Sequence, residues 1–228
     1  MLPSIDQSLI KNNILLNLSE RDFGLIRKDL VNVELSRSQE LILPGRKIEH
    51  CWFLESGVAS IVATSAEGDE TEVGIVGRDG MIDVATVLGA DRSPLRSFIQ
   101  IPGTGFRVSS SAVVQLAKAS STFKAQLDLY AYSYLIQVAH TALANASFGV
   151  EARLARWLLM CGDRVGDSDI TLTHEFLSIM LNVRRAGVTL AIQSLEKAGF
   201  VRAQRGALKI INRAGLMSFA NDAYAPFG

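Results

Sequence analysis

Between Thr173 and Gly199 two short stretches of helical periodicity are separated by a single bend, and this arrangement restricts the fold more than any other part of the chain. Thr173 can cap a helix over His174 to Leu181 through its hydroxyl. Ser178 is small where two helices must approach, and Asn182 tolerates the left-handed backbone that a tight turn needs. A second helix over Arg185 to Ala198 presents Val188, Ile192 and Leu195 on one face, joined by Val183, and Gly199 ends it. Arg184, Arg185, Thr189 and Gln193 fall outside that apolar face.

Two β-type runs, Phe200 to Gln204 and Ala207 to Ile211, then flank Arg205-Gly206 as a hairpin. Helix, turn, helix and hairpin in this order predict a winged helix-turn-helix, whose second helix enters the major groove while the wing touches phosphate. Arg205 and Lys209 are the wing cations. The net charge is zero, but residues 1–149 carry 13 Lys/Arg against 16 Asp/Glu and residues 150–228 carry 10 against 7. A mildly basic C-terminal module agrees with a nucleic-acid partner without deciding for one.

Upstream the patterning is different. Short helices are expected over residues 4–32, with Ser19 as an N-cap and Asp22 in the first turn. From Val33 to about Val108, short β-type runs end at Pro44-Gly45, Ser56-Gly57, Gly68, Gly77 and Pro102-Gly103, which predicts an antiparallel roll. Residues 109–146 contain no Gly or Pro, so a long helix without an internal breaker is expected. Leu127, Tyr130, Ala131, Tyr134, Leu135, Val138 and Ala142 form a helical stripe on it. The stripe can pack against the roll or pair with the same helix of a second subunit. Ser147-Phe148-Gly149 marks a hinge before a helix over Val150 to Cys161.

The fold class is therefore α+β: an N-terminal antiparallel β-roll (jelly-roll-like), a long dimerisation helix and a C-terminal winged helix-turn-helix. The expected domains are 1–108, 109–147 and 148–228. No apolar run reaches the roughly 18 residues that cross a bilayer and the N-terminus carries no basic-then-apolar leader, so no membrane association and a cytoplasmic location are expected. Cys51 and Cys161 are too far apart to suggest a disulfide framework or metal-ligand spacing. A metal-barrel enzyme needs clustered His ligands, which His50, His140 and His174 do not supply, and neither catalytic nor metal residues are expected. Glu70 and Glu72, on one face of a β-run, read as a solvated edge.

The whole chain resembles the Crp/Fnr family of transcription regulators. The segment Leu43-Pro44-Gly45 through Cys51-Trp52-Phe53-Leu54-Glu55-Ser56-Gly57-Val58 is similar to that family's β-roll opening, and Ile170-Thr171-Leu172-Thr173 through Leu195-Glu196-Lys197-Ala198-Gly199-Phe200-Val201 to its DNA-binding signature. The resemblance implies a homodimer on double-stranded DNA, reading an inverted repeat, with RNA polymerase as a further partner. Its expected DNA contacts are Thr173, His174, Arg184, Arg185, Ala186, Gly187, Thr189, Gln193, Arg205 and Lys209. Ala186 stands where the family often has Glu, and Leu190 where it often has Arg, so the target sequence should differ.

Cyclic-nucleotide-binding members carry Gly-Glu-Leu and, after a short helix, Arg-Ser. Here Gly80-Met81-Ile82 and Arg96-Ser97 occupy those places, with Thr141 on the covering helix. Met81 cannot accept a ribose hydrogen bond, so a cyclic nucleotide, another small effector and no effector all stay open. Iron–sulfur sensing needs about four Cys, against two here. A protein-interaction adaptor without DNA binding is the alternative function.

Overall fold

The computed structural model describes residues 5–166 and 169–224. After a 3-10 turn at Gln7–Leu9, two short helices follow, α1 (Asn13–Leu16) and α2 (Glu20–Ile26). Ser19 caps α2 by accepting from the Asp22 amide, as expected. The strands are β1 (Val31–Leu35), β2 (Glu40–Ile42), β3 (His50–Leu54), β4 (Val58–Thr64), β5 (Glu70–Val76) and β6 (Met81–Ile82). A one-turn helix α3 (Val84–Val87) separates them from β7 (Arg96–Ile101) and β8 (Gly103–Ser109). Helices α4 (Ser110–Ala119), α5 (Ser121–Ser147) and α6 (Val150–Val165) come next. The chain ends with β9 (Ile170–Thr171), α7 (His174–Leu181), α8 (Arg185–Lys197), β10 (Val201–Gln204), β11 (Ala207–Ile210) and α9 (Arg213–Ala220).

The roll consists of two four-stranded sheets, ordered β1-β8-β3-β6 and β2-β7-β4-β5. β8 pairs antiparallel with both β1 and β3, β6 with β3, and β7 with β2. Successive side chains of a strand point to opposite faces. On β3, Cys51 and Phe53 join an apolar cluster with Ile14, Leu15, Phe23, Ile26, Leu116, Phe123 and Leu127, so the helices cover that face. Trp52 and Leu54 alternate with them and are also buried. At the Ser56-Gly57 corner Gly57 has φ +82, and a Cβ there would lie 2.5 Å from the Ile101 carbonyl oxygen. Only glycine fits that turn.

By the clustering of its backbone contacts the chain forms two units, one of residues 1–61 and 75–135, the other of 62–74 and 136–228. The division falls inside α5 rather than at the Ser147-Gly149 hinge, and the tip of the β4–β5 hairpin groups with the C-terminal segment.

One expectation fails at the centre of the chain. The stretch from residue 109 is two helices, not one: Ser120 is extended at φ −130 and ψ 113. Its hydroxyl accepts from the Phe123 amide at 3.2 Å and so caps α5. No Gly or Pro is needed to break a helix when a serine offers the next turn a cap. Helix α6 also runs four residues past the expected Cys161.

Candidate nucleic-acid interface

The bend between α7 and α8 has the expected geometry. The Thr173 hydroxyl accepts from the Phe176 amide at 3.2 Å, capping α7, and Leu177, Met180 and Leu181 are buried. Asn182 adopts φ 47 and ψ 53, and the amides of Asn182 and Val183 close on the carbonyls of Ile179 and Ser178. Arg184 is extended and leaves the first turn of α8 without a side-chain cap. Val188, Ala191, Ile192 and Leu195 face inward, and Gly199 ends the helix at φ +75. The Arg153 guanidinium donates to the Leu181 carbonyl, tying α6 to the end of α7.

The wing is a three-stranded sheet ordered β10-β11-β9, turned at Arg205-Gly206 with Gly206 at φ +74. Glu196 of α8 accepts from the Ala203 amide at 2.6 Å, which couples helix and wing. Arg202 and Lys209 stand directly opposite each other in register, and both are exposed. Like charges across a strand pair repel. Such a pair is relieved by an anionic partner.

Arg184, Arg185, Ala186, Gln193, Arg205 and Lys209 are all exposed, as expected of contact residues. Arg185 reaches Glu175 at 3.3 Å, but both side chains are about two-thirds exposed, so the pair is weak and easily exchanged. His174 is exposed with its Nδ1 3.4 Å from the Thr189 hydroxyl, which itself donates to the Arg185 carbonyl. Two other expected contacts, Thr173 and Gly187, are half-buried. The Thr173 hydroxyl accepts at its cap and keeps its proton to donate, and Gly187 lies on the side of Val183, where a Cβ would make ordinary 3.7 Å contact. Sequence reasoning missed Arg202 and Lys197; the alternation of the wing strand and the helical period of α8 place both on exposed faces.

The expected effector residues fall in both units. Gly80, Met81, Arg96 and Ser97 lie in the first unit and Thr141 in the second. Met81 and Ser97 are buried, and Arg96 donates to Glu40 at 2.8 Å while covering the Phe98 ring. The Tyr130 ring occupies the space beside Gly80, where a Cβ would approach it to 2.2 Å, and its hydroxyl donates to the Met81 carbonyl at 2.7 Å. Thr141 accepts from Arg156 at 3.1 Å. In the same unit the Trp157 indole donates to Glu72 at 3.0 Å. Glu72 is thus no solvated edge, being only 5% exposed. Burial pulls the Arg156 guanidinium down to about 10, and the Glu72 charge opposes that pull.

The residues of the expected dimer stripe divide between the chain's own core and its surface. Leu127 is fully buried in the chain's own core, and Tyr130 packs on Gly80. Tyr134 and Val138 are half-buried, while Leu135 and Ala142 are exposed. Another apolar series, Ala125, Leu129, Tyr132, Ile136, Ala139, Leu143 and Ala146, runs along α5 with alternating spacings of four and three. All are exposed except the half-buried Ile136. That is the period of a coiled-coil seam.

Among the described residues no group of three or more His, Cys, Asp or Glu is placed to hold a metal. No described helix is long and apolar enough to cross a membrane.

Residues 152–219 match the family model of the Crp-like helix-turn-helix domain. A search of curated protein sequences returns no match. Among solved structures, FixK2 from Bradyrhizobium japonicum aligns with a TM-score of 0.71 at 13% identity, over 87% of this chain and 99% of that one. A CRP-family transcriptional regulator from Thermus thermophilus aligns at 0.67 and 14%, over 82% and 96%. The c-di-GMP-responsive global regulator CLP of Xanthomonas campestris aligns at 0.64 and 15%, over 84% and 99%.

Proposed function

We propose that this chain, which carries a Crp-like helix-turn-helix domain on the fold of the Crp/Fnr regulators, is a sequence-specific DNA-binding transcription regulator. The observation that carries the reading is the Asn182 bend, which sets α8 with its polar face outward beside a wing bearing Arg202, Arg205 and Lys209. Helix α8 enters the major groove, and Arg184 and Arg185 at its start meet a guanine edge or a phosphate. The wing cations neutralise phosphates along the flank.

Half-site recognition alone is weak, and the seam on α5 supplies the second copy. Its small residues Ala125, Ala139 and Ala146 allow close approach, while Leu129, Tyr132 and Leu143 supply the apolar area. Reading both half-sites requires a twofold partner across that seam to bring the second recognition helix roughly 34–36 Å from the first, one turn of DNA. The operator is then an inverted repeat. Regulation acts through RNA polymerase, in the compartment that holds the chromosome.

A small effector in the roll is part of the proposal, because Tyr130 joins the Gly80–Met81 backbone to α5 and a ligand there would act on the dimer helix. The test is selection of bound sequences from a random DNA pool, with and without cyclic AMP and c-di-GMP. Enrichment of an inverted repeat, with affinity falling steeply as salt rises, is the expected result. A pool without enrichment, bound equally at all sequences, overturns the reading.

A further inference from the structure

The outward face of α8 is not uniformly polar. With 100° between successive residues, Val188, Ala191, Ile192 and Leu195 share the inward side, and Ala186, Leu190, Gln193 and Lys197 share the opposite one. Ala186 and Leu190 are one turn apart and therefore adjacent. Leu190 is 65% exposed, more than any other large apolar side chain described between residues 150 and 224. It is bordered by Gln193 and Lys197 on its own face, with the Arg184 and Arg185 side chains at the start of the helix.

An apolar ledge in the middle of a cationic surface gains nothing from phosphate and strands the polar edges of a G·C pair. In the major groove the one apolar group on a base edge is the thymine C5-methyl. We infer that Ala186 and Leu190 form a binding ledge for thymine methyl groups, making Leu190 a specificity determinant of the operator. The inference rests on the proposed DNA-binding function. Gln193, one turn further on, has the carboxamide that pairs bidentately with adenine N6 and N7. The centre of each half-site is therefore A·T, with thymine methyls turned toward Leu190.

The experiment pairs a DNA change with a protein change. In the operator selected by the protein, each thymine is replaced singly by deoxyuridine, which removes only the methyl, and dissociation constants are measured for the native chain and for Leu190→Ala. Leu190 is exposed, so the variant keeps the fold, and a thermal melt checks this. At one or two thymines per half-site the native protein loses about fourfold in affinity, the equivalent of one buried methyl. Leu190→Ala loses nothing at the same thymines, so the two changes couple. Specific binding that ignores uracil at every thymine, or equal losses in native and variant, overturns the ledge and leaves DNA recognition standing. Failure to select any sequence overturns both.

Discussion

The proposed association through α5 should be breakable without touching the fold of either copy. Leu129 and Leu143 lie on the exposed seam at 69% and 49% exposure, so neither supports its own chain's core. Fully burying a leucine side chain stabilises by about 2 kcal/mol. Scaled by these exposures and counted in both subunits, the two leucines would contribute about 5 kcal/mol to the proposed dimer. Replacing both by glutamate removes that area and sets like charges against each other across the axis. The dimer dissociation constant should rise by at least three orders of magnitude. Sedimentation equilibrium over a dilution series reads the constant directly, and far-UV circular dichroism shows whether the helices survive. Binding to an inverted repeat should weaken far more than binding to a single half-site. A double variant that sediments as a dimer at the native concentration, with its helicity intact, would refute the assignment of this face.

Three further outcomes follow from single side chains. Arg185→Ala should cost about 1–3 kcal/mol at the selected operator and little on random DNA if the guanidinium reads a base; equal loss on both makes it a phosphate contact. Burial holds the Asp83 carboxyl above the ordinary aspartate range, so the native state binds its proton more tightly than the unfolded chain does. That stabilisation is complete below the unfolded value and is lost as pH rises through the raised native one. Asp83→Asn, which suits the positive φ of 91 at this residue, should flatten the fall in urea midpoint as pH rises above the ordinary aspartate value of about 3.9; an unchanged slope would refute it. Glu72→Ala should cost about 3–5 kcal/mol in denaturant melts, because it strands the buried Arg156 cation, whereas Glu72→Gln keeps an acceptor for the Trp157 indole. A Glu72→Gln variant as stable as the native chain would argue against the charge pairing, because glutamine keeps the acceptor but carries no charge.

The features readable from sequence were those decided within a few residues. Thr173 and Ser19 cap their helices, Asn182 takes the left-handed turn, and Gly199 and Gly206 take positive φ, because each choice depends on local sterics and hydrogen bonding. What escaped depended on partners far along the chain. Arg96 looked available until β2 brought Glu40 to it, and Glu72 looked solvated until α6 brought Trp157. The face of α5 was ambiguous for a further reason. Apolar residues surround this helix, so two stripes satisfy the helical period, and only the packing of Phe123, Leu127 and Ala131 on the roll decides which is left for a partner.

Tyr130 gives the roll a threshold. A molecule that seats itself on the backbone at Gly80 must first evict an aromatic ring and part its hydroxyl from the Met81 carbonyl. Eviction costs about 2–3 kcal/mol, which weakens the apparent affinity of any such ligand by roughly thirty- to a hundred-and-fifty-fold. Weak, abundant metabolites would be filtered out by that margin. Because the displaced ring is anchored on α5, a ligand of the proposed kind that filled the space would shift the helix in the same event.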